Sequence, residues 1–287
     1  MRENKKITLV ECPRDAMQGL HDFIPTANKV AYLNALLKVG FDILDCVSFV
    51  SPKAIPQLAD SAEVLQQLDT SESATKLLAI VANIKGAEMA AEFEAISYIG
   101  FPFSISETFQ QRNTKAGIAQ SFENLKEIKE ITERNNKQLV VYISMGFGNP
   151  YGDAWSAALT AEWAGKLDTL APATISIADT VGIATAAQVS DVFSAVQKVN
   201  ANAEIGAHLH CTTTNWEGKL RAAYNQGCRR FDSALLGFGG CPFAEDKLIG
   251  NLSTENLVKF IEDNNATTAL NYFEFEKARQ MAIFTFN

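Results

Sequence analysis

The feature that most limits what this chain can become is a repeated alternation of short and long segments. Eight short apolar runs rich in β-branched residues recur along it. They are ITLVEC from residue 7, FDILDCVSFV from 41, TKLLAIVA from 75, SYIGFPFS from 97, QLVVYISMGF from 138, ATISIADTVG from 173, EIGAHLH from 204 and FDSALLGFG from 231. Between them lie longer stretches of helical period. In 28–38 the apolar residues Val30, Leu33, Leu36 and Leu37 fall at i, i+3, i+6 and i+7, one face of a helix. Similar stretches cover 86–96, 119–135, 157–170, 187–199, 217–226 and 254–263, the last with Ser253 placed to cap it. Strands that alternate with helices need parallel pairing, and eight such units predict a closed α/β solution, the TIM (β/α)8 barrel. An open doubly wound sheet is the rival, but no GxGxxG follows the first strand. The tail 266–287, with the amphipathic FEFEKARQMAIF, predicts an extra C-terminal helical segment on a single catalytic domain spanning 1–287.

Bulk properties narrow the function. A net charge of −8 with no Lys/Arg block argues against nucleic acid as partner. Charges interrupt every apolar run before the roughly 18 residues a membrane span needs, so no membrane association is expected. Five cysteines, Cys12, Cys46, Cys211, Cys228 and Cys241, are odd in number and never spaced as CxxC. That usage predicts a reducing compartment, with the cytoplasm as the default.

In such a barrel the reactive groups stand at the C-terminal ends of the strands. The unusual residues here follow that rule: Arg14 and Asp15 after strand one, Asp45 and Ser48 late in strand two, and Asn83 after strand three. Asp179 ends strand six, His208 and His210 end strand seven, and Cys241 follows the glycine-rich turn after strand eight. Side chains alternate along a strand, so Gly206, His208 and His210 face inward together. Two imidazoles in register suit a metal ion, whereas a lone histidine would read as a satisfied core residue. Asp15 is the natural oxygen ligand and Asn251 could add an amide oxygen. That mixed set predicts Mg2+ or Mn2+, with Zn2+ also compatible. Arg14 supplies a fixed cation for an oxyanion or enolate, unless it is simply ion-paired with Asp15. Cys241, in LGFGGCPFAED, is either a general acid/base or a small buried hydrophobe.

Taken in order, CPRDAMQ, LDCVSFVSPK, VANIKG, IADTVG, AHLH and LGFGGCPFAE followed by GN resemble the motifs of the 3-hydroxy-3-methylglutaryl-CoA lyase family. That family sits in a wider metal-dependent group with Claisen-condensing synthases. The resemblance runs from about residue 7 to about residue 264, and SFVSPK with GGCPFA is its most specific part. It implies retro-Claisen cleavage of a 3-hydroxy-3-methylacyl-CoA to acetyl-CoA and a keto acid. It also implies metal ligands Asp15, His208, His210 and Asn251, and catalytic residues Arg14, Asp15, Asp179, His208 and Cys241. Gln18, Asp45, Ser48 and Asn83 are then assigned to the substrate, an acyl-CoA thioester, and a homodimer is expected. Four departures stand out: Cys12-Pro13 and Ala16 where the family usually has glycine, Asp45 for its glutamate, Cys211 for its acidic residue, and a longer Cys241–Asn251 loop. They bear on the acyl group accepted. A condensing synthase or aldolase of the same group is the alternative, but here the opening triplet is Pro13-Arg14-Asp15 instead of a DRE type. A metal hydrolase would need further histidines and only His21 remains. A non-catalytic binding barrel would not be expected to keep this residue set.

Overall fold

The computed structural model describes residues 6–240, 249–264, 266 and 268–286. All eight apolar runs become parallel strands of one closed barrel, ordered β1 to β8 with β8 pairing back onto β1. The strands are β1 (Thr8–Glu11), β2 (Ile43–Phe49), β3 (Lys76–Val81), β4 (Ile96–Ser104), β5 (Gln138–Ser144), β6 (Thr174–Asp179), β7 (Glu204–Leu209) and β8 (Arg230–Ser233). Period-two alternation sorts their side chains into two layers. Val10, Cys12, Ile43, Leu78, Ile80, Val140 and Tyr142 fill the barrel interior. The alternate residues, such as Leu9, Leu44, Leu77, Val141, Ile205, Ala207 and Phe231, pack outward against the helices.

The helices are α1 (Pro13–Gln18), α2 (Thr26–Leu37), α3 (Ser61–Gln66), α4 (Ile84–Ala91), α5 (Glu107–Thr114), α6 (Ile118–Arg134), α7 (Ala157–Asp168), α8 (Ala186–Val199), α9 (Trp216–Asn225), α10 (Thr254–Asp263) and α11 (Tyr272–Phe286). Three of them, α1, α3 and α5, are short and escape a periodicity argument. The stretch read as 86–96 divides: helix α4 stops at Ala91 and Ile96 already begins β4. Ser253 caps α10 as expected, its hydroxyl accepting from the Asn256 amide. The extension is helical from Tyr272. Phe286 meets Tyr32 of α2 edge-on at 5.3 Å, and Phe275 lies 6.4 Å from Phe41, so α11 packs outside the barrel beside α2.

Among the described residues no helix is long and apolar enough to cross a membrane.

Candidate metal centre and active site

The first βα connection is a helical turn. Pro13 stands at its first position, where a missing N–H costs nothing, and Arg14 and Asp15 are carried inward with it. Both are buried, at 7% and 4% exposure. Burial alone would raise the Asp15 pKa, but Arg14, the two histidines and a hydrogen bond from Asn251 override it and hold the carboxyl at about 2. It is therefore ionised and available as an anionic ligand.

His208 and His210 project inward from the end of β7 with ring centroids 5.1 Å apart. Ligand atoms of Asp15, His208 and His210 all lie within 4.8 Å of one another, and all three residues are buried. Each imidazole is held from behind through Nδ1. That of His208 lies 3.1 Å from Oδ2 of Asp232, and that of His210 lies 2.8 Å from the Ile249 carbonyl. Both rings are thus left with Nε2 to coordinate, the arrangement by which outer partners fix histidine ligands. The segment carrying Asn251 pairs with the end of β7, with His210 opposite Asn251. From there Nδ2 of Asn251 donates to Oδ2 of Asp15 at 2.7 Å. The donor set is one ionised carboxylate and two oriented imidazoles, which fits a divalent cation.

A second group, Cys12, His208 and Asp232, is also close enough for metal. It suits that role less well. Burial, then the neighbouring carboxylates of Asp232, Asp45 and Asp15, push the Cys12 thiol well above its usual pKa. Asp232 is already engaged with His208. Burial lowers the His208 pKa and Asp232 more than offsets it, so the net shift is upward; burial and His208 lower that of His210.

The centre opens into a cavity of about 620 Å3 at the C-terminal end of the barrel. Its floor includes Ile80, Pro102 and Tyr142, and its exposed rim carries Lys53, Arg112 and Lys115.

The family model described as HMGL-like matches residues 6–282. The chain belongs to the HMGL-like family. It is 32% identical over 270 residues to the mitochondrial hydroxymethylglutaryl-CoA lyase of Macaca fascicularis, covering 93% of this chain and 82% of that one. An HMG-CoA lyase structure from Brucella melitensis superposes with a TM-score of 0.90 at 30% identity, covering 98% of each chain. An HMG-CoA lyase from Acinetobacter baumannii, in complex with coenzyme A and 3-methylmalate, has a TM-score of 0.90 at 30% identity, covering 100% of this chain and 93% of that one.

Within this HMGL-like barrel the expected site residues divide into three groups. Arg14, Asp15, Gln18, Ser48, Asn83, His208 and His210 line the cavity. Gln18 is tied to both neighbours, accepting from Arg14 Nη1 at 2.9 Å and donating to Asp15 at 2.6 Å. Asn83 also caps α4 through the Gly86 amide.

Two residues do something other than expected. Asp45 does not form the cavity wall. Fully buried, it takes Nε and Nη2 of Arg14 in a two-point pair, at 3.1 and 2.5 Å, so its carboxylate orients Arg14. Asp179 points to the outer side of β6, because Ala178 and Thr180 occupy the inward positions. Its carboxylate meets buried Lys219 at 2.6 Å and accepts from the Ala184 amide. Asp179, expected to be catalytic, is thus the ion-pair partner of Lys219 in this structure and does not line the cavity. Cys241 falls outside the described residues.

The HMGL-like site also contains groups that were not anticipated. Asp232 is a charged residue inside the apolar run of β8, at an inward position opposite His208. That placement was a readable signal. Lys219, on the helical stretch after β7, had no such mark.

Proposed function

We propose that this chain is an enzyme, a divalent-metal-dependent carbon–carbon lyase. It cleaves 3-hydroxy-3-methylglutaryl-CoA, or a close 3-hydroxy-3-methylacyl-CoA, to acetyl-CoA and a keto acid such as acetoacetate. The observation that carries this reading is the convergence of Asp15, His208 and His210 within 4.8 Å, beside Arg14, at the head of the cavity. Support comes from relatives named as HMG-CoA lyases and from the coenzyme A in one related structure. The rim cations Lys53, Arg112 and Lys115 suit the phosphates of an acyl-CoA thioester.

Asp15, His208 and His210 would hold the metal, with Asn251 beside them; the oxygen and nitrogen donors suit Mg2+ or Mn2+. Bound there, the cation supplies Lewis acidity toward the substrate's oxygens and makes its hydroxyl easier to deprotonate. Arg14 does the rest of the charge stabilisation. Four of its five N–H groups are taken by Asp45, Asp15 and Gln18, which leaves a rigid guanidinium with one N–H for the developing enolate. The Cys241 thiol, which follows β8 in the sequence, hands a proton to the acetyl carbon as the C–C bond breaks, and the proton released from the substrate's hydroxyl restores the thiol, so that no net proton is consumed. The setting is the cytoplasm; the free thiols of Cys12, Cys46, Cys211 and Cys228 fit a reducing one. The functional unit is one catalytic domain per chain, with 266–287 as an extension, assembled as a homodimer.

The test is direct. Protein incubated with 3-hydroxy-3-methylglutaryl-CoA and Mg2+ or Mn2+ should release acetyl-CoA and acetoacetate in equal amounts, and chelator should stop it. Failure to release acetyl-CoA from any 3-hydroxy-3-methylacyl thioester would overturn the assignment.

A further inference from the structure

Lys219 is a lysine with almost no exposure, on the first turn of α9, and its ammonium group has three partners. Nζ donates to Oδ2 of Asp179 at 2.6 Å, to the Gly182 carbonyl at 2.9 Å and to the His210 carbonyl at 2.9 Å. An ammonium has three protons, so its capacity is used completely. One bond goes to the last residue of β6, one to the connection after it, and the third to the backbone of His210, whose imidazole faces the metal centre.

The same connection touches His210 by a second route. Gly182, at φ +69°, has no side chain on the face where Ile249 packs; a Cβ there would lie 2.8 Å from Cγ2 of Ile249. The Ile249 carbonyl is the group that receives Nδ1 of His210. Lys219 therefore fixes the main chain of His210 directly. It also fixes Gly182, against which the side chain of Ile249 packs, the residue whose carbonyl meets the His210 ring.

We infer that Lys219 is a positioning residue for the metal centre: it locks the His210 backbone and, through Gly182 and Ile249, the orientation of the His210 ring. Asp179 serves as the counter-ion that allows this ammonium to be buried. The inference rests on the proposed metal centre for its consequence, but the locking itself is a property of the metal-free protein.

The experiment separates locking from mere structural support. Lys219→Met alone would strand a buried carboxylate, so both charges are removed together in Lys219→Met/Asp179→Leu. Metal-stripped protein is titrated with Mn2+, and free Mn2+ is read by electron paramagnetic resonance. The double variant is expected to fold, by circular dichroism, and to bind Mn2+ roughly 10- to 100-fold more weakly, the usual loss when an outer partner of a ligand is removed. Asp179→Asn, which keeps the two Lys219–carbonyl bonds, should stay much closer to the wild-type affinity. Nitrogen-15 spectra of the metal-free protein give the second readout: His210 should hold a single Nδ1–H tautomer in the wild type and a mixture in the double variant. A folded double variant with wild-type Mn2+ affinity and an unchanged His210 tautomer would overturn the inference. So would Asp179→Asn weakening binding as much as the double variant does. Asp15→Ala is the control on the metal centre itself. If it binds Mn2+ like the wild type, the metal reading fails, and the His210 tautomer in metal-free protein still decides the role of Lys219.

Discussion

His208 and Asp232 are register partners on adjacent strands, and Nδ1 of one lies 3.1 Å from Oδ2 of the other. Parallel pairing of β7 with β8 thus places a carboxylate directly behind a metal-facing imidazole. The pair fixes both the ring's orientation and the nitrogen left for coordination.

The first prediction follows from that pair. Asp232→Asn keeps the volume but loses the charge that favours a proton on Nδ1. Calorimetric titration of metal-stripped protein should show Mn2+ affinity reduced by roughly 10- to 100-fold, with the fold intact. Unchanged affinity would mean that His208 is oriented by packing alone.

Arg14 is held by Asp45 and Asp15 on two sides. Its cationic form is stabilised because these carboxylates outweigh the cost of burial. Since the negative charge it meets grows mainly in the transition state, Arg14→Met should lower kcat far more than it raises KM. Steady-state release of acetyl-CoA measures both, and a near-normal kcat would remove Arg14 from the chemistry.

Gly239 adopts φ +115°, and a Cβ there would collide with Nδ2 of Asn251 and lie 3.1 Å from Oδ2 of Asp15. Gly239→Ala combines a disfavoured backbone with displacement of a ligand carboxylate. Turnover at saturating Mn2+ is expected to fall at least tenfold, by about 1.4 kcal/mol or more in transition-state stabilisation. Wild-type turnover would show that the loop yields and the Asp15–Asn251 contact is dispensable.

Glu11 gives a pH signature away from the metal centre. Burial, only partly opposed by bonds from Thr254 and the Leu235 amide, raises its pKa to about 8. Between the ordinary carboxyl value and pH 8 the folded state therefore binds a proton that the unfolded chain has lost. This contribution to stability is fully present below the ordinary carboxyl pKa and is lost as pH rises toward 8, with a slope of at most about 1.4 kcal/mol per pH unit. In Glu11→Gln, urea melts from pH 5 to 8 should lack this decline. Parallel pH profiles for the two proteins would contradict a protonated Glu11.

Cys241→Ser is expected to retain Mn2+ binding and fold while losing turnover by roughly a hundredfold or more, the scale of one proton-transfer group. The glycines leading to it, Gly237, Gly239 and Gly240, all have positive φ, which only glycine adopts without strain. Substrate should protect the thiol from alkylation. A serine variant that loses stability instead, with slow, substrate-insensitive alkylation of the wild type, would make Cys241 a packing residue.

The sequence by itself determined the barrel and most of its rim. Hydrophobic period is a local property: a period of two in the strands and 3.6 in the helices marks each unit where it occurs, and eight such units close in one way. The same local rule placed His208 and His210 on one face, and the strand ends placed Arg14, Asp15, Ser48 and Asn83 on the cavity.

What only the tertiary structure decided is which buried charges meet. Asp45 lies 31 residues from the arginine it orients, and Asp179 lies 40 residues from Lys219. No periodicity encodes such pairs, because a buried charge is stabilised by whichever opposite charge the fold brings within hydrogen-bond reach. Asp45 therefore reads as a substrate residue and Asp179 as a catalytic one in the sequence, whereas in the barrel Asp45 pairs with Arg14 at the site and Asp179 with Lys219, which lies behind His210. Glu11 illustrates the same limit: in the strand it looks like any polar end residue, and only the packing of the segment after β8 and of α10 against the outside of β1 makes it a buried acid.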